Sequence, residues 1–305
     1  LAALSKALGF EEAFLVELAA TANDRYRLAK PIKKPDGSIR QPFDALEPLK
    51  EVHRRLKKEV FSKVVFPKYL TGSLKGRDYR VNASLHTGAK IVICEDIEGF
   101  FPSTNSSLVM DIWQNFFGFS PEVSELLTKL TTKDGLLPQG AITSSFLANL
   151  AFWRAEPLLY NQLLEQGIVY SRYVDDITIS SKHRIENDDK TRVIAVIYGM
   201  LRKSGYSAKR RKHEIATSGH RMLTTKLLIN KKPALKPEER ANIRTAVFQL
   251  EQKISQGIKG PDITRELNRV AGLVGKLSRF HSTQGNGLKQ RILKIRKLLN
   301  IINPT

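Results

Sequence analysis

Asp175 and Asp176 stand side by side in VYSRYVDDITISS, residues 169–181. Two short runs of β-forming residues meet there, with the turn near Val174, Asp175 and Asp176. Adjacent carboxylates at a tight turn repel each other, and neither is easily desolvated alone; a divalent cation removes the conflict. Lys90 to Glu95 (KIVICE) reads as a buried strand that stops at Asp96, which puts a third carboxylate at a second strand end. With the two strand ends adjacent in one sheet, Asp96, Asp175 and Asp176 become a cluster of hard oxygen ligands suited to magnesium. Two such ions roughly 4 Å apart would activate a hydroxyl and stabilise a leaving pyrophosphate in an in-line phosphoryl transfer.

An aspartate pair alone decides nothing. With 12 Asp in 305 residues, about 0.5 adjacent pairs arise by chance, and Asp188 and Asp189 are a second one. That pair lies among Glu186, Asn187 and Lys190 and reads as a polar loop. Asp175 and Asp176 interrupt a β-hairpin pattern instead, and the context separates the two.

The elements that must hold these residues follow from local pattern. The stretch to Ala22 reads as an amphipathic helix, because Glu11, Glu12 and Glu17 break the apolar core that a signal peptide needs. The sequence starts at Leu1 without a Met, so a few residues are expected to precede it. A hairpin follows, Arg25 to Lys34 and Ser38 to Phe43, with Pro35, Asp36 and Gly37 as turn residues. Leu49, Val52, Leu56 and Val60 recur at helical spacing. Leu137 to Leu150 (LPQGAITSSFLANL) opens on a turn and continues as a helix rich in small residues, where a neighbour packs closely. From Lys231 onward strand signals vanish, and helical stretches appear near Pro237 to Ile254, Pro261 to Phe280 and Gly287 to Ile302.

Hydrophobic residues make up 41% of the chain, enough for a core, while the net charge is +20. Such a field favours a polyanionic partner such as nucleic acid or anionic lipid. From residue 231 onward 16 Lys and Arg face 5 Asp and Glu, a net of +11, so over half of the excess sits in a quarter of the length. One cysteine, Cys94, excludes an intramolecular disulfide and a Cys-based zinc cluster, consistent with a cytoplasmic setting. No apolar run is long enough for a membrane span, so no membrane partner is expected.

Four stretches in order resemble the motifs of reverse transcriptases. Tyr173 to Asp176 is similar to the YxDD box, here YVDD, and Glu95 to Phe101 (EDIEGFF) resembles the first catalytic motif. Leu137 to Gly140 matches LPQG, and Gly205 to Lys212 (GYSAKRRK) resembles the lysine-bearing motif. The resemblance implies an α+β right-hand polymerase fold and two-metal nucleotidyl transfer. Asp96, Asp175 and Asp176 would hold two Mg2+, with the Ile97 carbonyl as a further ligand. Arg40 and Gln139 would contact the incoming deoxynucleoside triphosphate, with Lys33 or Lys34 assisting. Phe101 would lie against its sugar and leave no room for a 2′-hydroxyl. Lys212 would donate a proton to the leaving pyrophosphate.

Asn82, Ala83 and His86 (NASLH) match the NAxxH signature of retron reverse transcriptases, which makes Asn82 and His86 candidates for RNA binding. A retron-like enzyme would use a partner noncoding RNA as template, start DNA from a 2′-hydroxyl of that RNA and yield a branched RNA–DNA hybrid. It would serve antiphage defence beside a separate effector protein. The implied domains are fingers at 1–84 with an inserted segment at 103–136, a palm at 85–102 and 137–230, and a basic three-helix thumb at 231–305. One departure stands out: where retrons commonly carry VTG, this chain has Leu223, Thr224 and Thr225. Two rivals stay open: another bacterial reverse transcriptase, intron-encoded or of abortive-infection type, and a non-catalytic nucleic-acid-binding scaffold.

Overall fold

The computed structural model describes residues 1–33 and 37–299. Helices α1 (Ala2–Leu8) and α2 (Glu12–Thr21) lead into four short strands, β1 (Tyr26–Leu28), β2 (Ile32–Lys33), β3 (Ile39–Arg40) and β4 (Phe43–Ala45). β1 pairs with β4 and β2 with β3, all antiparallel, so the expected hairpin is a ribbon with its pairing broken midway and its return strand continued to Ala45. Lys34, Pro35 and Asp36 lie outside the described residues. Helix α3 (Leu49–Glu59) turns Leu49, Val52, His53 and Leu56 inward. Asp78 starts α4 (Tyr79–Leu85) by accepting the Arg80 and Val81 amides on its carboxylate, which satisfies donors that a helix start leaves open.

Strand β5 (Ile91–Asp96) is followed by α5 (Phe100–Ser103), α6 (Ser106–Asp111), α7 (Pro121–Thr131), α8 (Ser144–Leu150) and α9 (Glu156–Glu165). Then come β6 (Ile168–Tyr173), β7 (Asp176–Ser181), α10 (Asn187–Lys203), β8 (Glu214–Thr217), and a small hairpin of β9 (Leu223–Thr224) and β10 (Leu227–Leu228). Asp188 and Asp189 belong to the first turn of α10 rather than to a loop, because acidic side chains are favoured beside the positive end of the helix dipole. The C-terminal helices are α11 (Pro237–Ser255), α12 (Pro261–Phe280) and α13 (Ser282–Leu298). Helix α13 starts five residues before the sequence pattern predicts, with Leu288, Ile292 and Ile295 buried along it. Residues 300–305, where that pattern ends, are outside the description.

The central sheet has the order β6–β7–β5–β8 and is antiparallel throughout. Side chains alternate between its faces with a period of two. Ile91, Ile93, Tyr170, Ile177 and Ile179 point into one core, shared with the N-terminal helices and with α7 to α10. Val92 joins a second core that includes Leu227 of the small hairpin and the inward rows of α11 to α13. No helix among the described residues is long and apolar enough to cross a membrane.

Candidate active site

The register of the sheet makes Asp96 and Asp176 direct cross-strand partners, close enough for their carboxyl groups to share a hydrogen bond. Asp175 joins them through the turn, where its carbonyl accepts the Ile97 amide at 2.9 Å. The two strand ends are therefore adjacent, and the three carboxylates converge. Burial, with the charges of Asp175 and Asp96, pushes the Asp176 carboxyl up to about 7. Burial and the Asp96 charge also raise Asp175. The conflict foreseen for this pair is thus present in the fold.

The turn itself is strained. Val174 has φ 61, a left-handed conformation that a β-branched residue rarely adopts and that persists only where the surroundings over-determine it. Two devices hold it. Gly72 lies against the turn so closely that a Cβ there would sit 2.5 Å from the Val174 nitrogen. From below, the wholly buried Arg172 donates to the Val174 carbonyl at 3.1 Å while pairing in fork fashion with Glu156, at 2.6 and 2.8 Å. Neither Arg172 nor Glu156 stood out in the sequence; the one available signal was an arginine at an inward position of a strand.

Lys212 reaches the cluster because the Lys209 amide donates to the Asp96 carbonyl at 2.7 Å and a 3-10 turn over Arg210–Lys212 follows. Its ammonium forms an ion pair with Asp96. Partial burial works against the Lys212 charge, but the hydrogen bond to Asp96 and the three carboxylates outweigh it and hold the proton more tightly than usual. On the opposite side of β5, Glu95 anchors the same segment by bonding His213 Nδ1 at 2.6 Å and also accepts from Tyr198 Oη of α10 at 3.1 Å.

The LPQG stretch is docked on the N-terminal ribbon. The Phe43 amide donates to the Gln139 carbonyl at 2.7 Å, and a Cβ on Gly140 would strike the Phe43 carbonyl oxygen at 2.6 Å. Glycine is required there both by this approach and by φ 109. The contact brings Gln139 and Arg40 to one wall of a cleft of about 1250 Å³, which Phe101, Asp96, Asp175, Asp176 and Lys212 also line. Arg40 acts electrostatically on Asp175 and has its Nε buried without a hydrogen-bond partner. Ile97 lines the same cleft.

Asn82 and His86 are elsewhere, and here the expectation of direct RNA contact is corrected. Their exposures are 0% and 1%, and both side chains are engaged by serine and threonine hydroxyls of the interior. A buried side chain with its polar atoms spent internally has nothing left to offer a ligand.

Comparisons with known proteins decide the family. The model of the reverse transcriptase (RNA-dependent DNA polymerase) family matches residues 32–242. The Retron Se72 reverse transcriptase of Salmonella heidelberg (strain 579083-10) is 34% identical over 296 residues, covering 96% of this chain and 78% of the relative. This chain belongs to the retron reverse transcriptases. The Retron Ec48 reverse transcriptase of Escherichia coli is 30% identical over 310 residues, 97% of this chain and 76% of that one. Among solved structures, telomerase from Candida albicans, in complex with a fragment of telomeric RNA, superposes with a TM-score of 0.50 at 11% identity. It covers 96% of this chain and 67% of its own. The fold is therefore the α+β polymerase fold, and this retron reverse transcriptase is an RNA-directed DNA polymerase. Enzymes of the family work with a divalent metal. Among the described residues no three His, Cys, Asp or Glu side chains already form a ligand shell. The converging donors are nonetheless all oxygen and carry excess negative charge, the chemistry that a hard divalent cation takes.

Proposed function

We propose that Asp96, Asp175 and Asp176, with the Ile97 carbonyl, hold two Mg2+ at the polymerase centre. The observation that supports this most is the cross-strand pairing of Asp96 with Asp176 beside Asp175. When bound, the ions supply Lewis-acid activation of the attacking hydroxyl and neutralise charge on the leaving pyrophosphate. The chain's own groups do the rest. Arg40 and Gln139, which line one wall of the cleft, hold the triphosphate and orient the nucleotide. Phe101 closes the space beside C2′ of the sugar. Lys212, kept protonated by its carboxylate neighbours, has a proton to give to the pyrophosphate.

The fingers of this polymerase are residues 1–84 with the inserted segment 103–136, the palm is 85–102 and 137–230, and the thumb is 231–305. Contacts from the net +11 of the thumb to phosphates give affinity without sequence information, which suits a protein that slides along its product. The two relatives named above are retron enzymes. By that kinship the template and primer are a structured noncoding RNA, synthesis begins at one of its 2′-hydroxyls, and the product is a branched RNA–DNA hybrid, msDNA. The setting is the bacterial cytoplasm and antiphage defence beside a separate effector protein.

The test is extension of a primed RNA template with deoxynucleotides and magnesium by the parent and by Asp175→Asn. The parent extends, and the variant loses more than about a thousandfold in rate, because metal placement supplies much of the catalysis. Equal extension by both removes the site assignment. Sequencing of copurified nucleic acid checks the branch: RNA and DNA joined covalently support it, and unlinked strands refute it.

A further inference from the structure

Asn82 and His86 match a retron signature, yet neither faces the cleft, so their use must be sought inside the protein. Asn82 lies on α4 and His86 caps its C-terminus four residues later, so the two side chains sit on the same side. That side meets the face of the sheet that also carries Asp96 and Asp176. Ser171, Thr178 and Cys94 form the cross-strand row next to Tyr173, Asp176 and Asp96, and Ser180 lies in the row after it.

The hydrogen bonds order the groups around Ser171 and His86 in this layer. Ser171 Oγ donates to Asn82 Oδ1 at 2.8 Å, so its only proton is used and it accepts from His86 Nε2 at 2.7 Å. Burial favours the neutral imidazole, in which His86 Nδ1 is the acceptor for the Ser180 hydroxyl at 2.7 Å. Asn82 Oδ1 also accepts from Thr71 at 2.7 Å, while its Nδ2 donates to Thr224 Oγ1 at 3.1 Å. Thr224 shares a further hydrogen bond with Thr178 at 2.7 Å. The chain of bonds runs from the sheet through α4 to the β9–β10 hairpin.

That hairpin needs such support. Its two turn residues, Thr225 and Lys226, have φ 46 and φ 67, a turn that ordinarily takes asparagine and glycine. The Thr225 hydroxyl is tied to the Tyr79 carbonyl at 3.0 Å. Thr225 and Lys226 line the same cleft as the three carboxylates. The position of the hairpin thus sets one wall of the space in which a strand end meets them.

We propose that Asn82 and His86 are positioning residues: through Thr224 they lock the strained Thr225–Lys226 turn in place against the catalytic sheet. The NAxxH stretch and the Leu223-Thr224-Thr225 stretch are on this reading one mechanical unit. The proposal rests on the assignment of the carboxylates as the polymerase centre.

Thr224→Val keeps the shape and deletes the hydroxyl; Thr224→Ser restores it. Hydrogen exchange is read on the full chain without substrate, and single-turnover incorporation on a DNA primer annealed to RNA. In Thr224→Val the Leu228 and Ile229 amides exchange about tenfold faster while those of Ile93 and Ile179 keep their protection, and incorporation slows about tenfold with deoxynucleotide half-saturation within about twofold. Thr224→Ser returns both to within about twofold of the parent. Ser180→Ala, at the far end of the chain of bonds, moves both readouts in the same direction by less. Parental exchange and parental rate in Thr224→Val overturn the proposal, as does a rate loss that Thr224→Ser leaves unrepaired. Asp175→Asn runs alongside: extension that survives it strikes the carboxylate assignment alone, since the exchange arm involves no catalysis.

Discussion

On one face of the central sheet the cross-strand rows read Tyr173–Asp176–Asp96, Ser171–Thr178–Cys94 and Val169–Ser180–Val92. On the other they read Arg172–Ile177–Glu95, Tyr170–Ile179–Ile93 and Ile168–Ser181–Ile91. Both faces are covered, but by different means. The second is closed mainly by branched aliphatic and aromatic side chains, whose burial is stabilising and non-directional. The first is closed next to its carboxylates by hydroxyls, an amide and an imidazole, and only further along, at Val92, by the second core; the polar groups' bonds are directional and have little net worth until one of them is broken. A face that must hold three carboxylates in register benefits from direction; a face that must hold the sheet to its helices benefits from area. The only charges on the apolar face, Arg172 and Glu95, lie in the row behind the carboxylates, and each is paired.

The largest effect expected on this contrast comes from breaking that exceptional pair. Glu156→Ala leaves the Arg172 guanidinium wholly buried with no counter-charge, and removing one partner of such a pair costs about 3–5 kcal/mol. Burial opposes the Arg172 charge, and the Glu156 carboxylate is the main force holding it on. Urea unfolding of parent and variant measures the loss. A variant within about 1 kcal/mol of the parent would show that the Val174 turn is held by Gly72 and the backbone alone.

On the polar face the corresponding break is made with protons. Burial presses the His86 pKa down to about 3, while the unfolded chain titrates near 6.5. The unfolded state therefore binds a proton that the fold refuses, so His86 contributes stability that is fully present above pH 6.5 and is lost as pH falls toward 3. The slope from one such group approaches about 1.4 kcal/mol per pH unit. In His86→Gln the stability of the protein falls less steeply between pH 6.5 and 4 than in the parent. Parallel curves over that range would mean that His86 is charged in the fold, and the proton order of the network would be wrong.

What was legible in the sequence follows the same division. KIVICE and the YVDD hairpin are local period-two patterns with turn residues between them, and their strands appear where the pattern places them. So does the α11 and α12 periodicity. The partners of Asn82 and His86 were not legible, because a polar pair four residues apart on a helix ordinarily faces solvent. The hydroxyl that donates to His86 Nδ1 lies 94 residues further on, and only the sheet register brings it there. Arg172 was missed for a related reason: its counter-charge, Glu156, comes from a helix that packs under the sheet. Pairings across elements set those positions, and composition along the chain does not display them.

The smallest effect probes the contrast within one dipeptide. Phe100 faces the apolar side: it is 3% exposed, lies parallel to Phe152 at 5.8 Å and tilts against Tyr206 at 5.4 Å. Phe101, half-buried, turns its ring toward the cleft beside Asp96 and Gln139. The aromatic at 100 is spent on packing; the one at 101 has, among the described residues, no ring partner besides Phe100 itself, at 5.9 Å. A ring kept at a cleft wall excludes volume, and on the proposed assignment what it excludes is the 2′-hydroxyl of a nucleotide sugar. Shrinking the side chain relaxes a steric rejection without removing a bond, so Phe101→Ala raises the use of ribonucleotides relative to deoxynucleotides by about tenfold. The ratio of kcat/KM for the two nucleotide types on the same primed RNA reads it directly. An unchanged ratio would transfer sugar selection to another wall of the cleft and leave Phe101 as a packing residue like its neighbour.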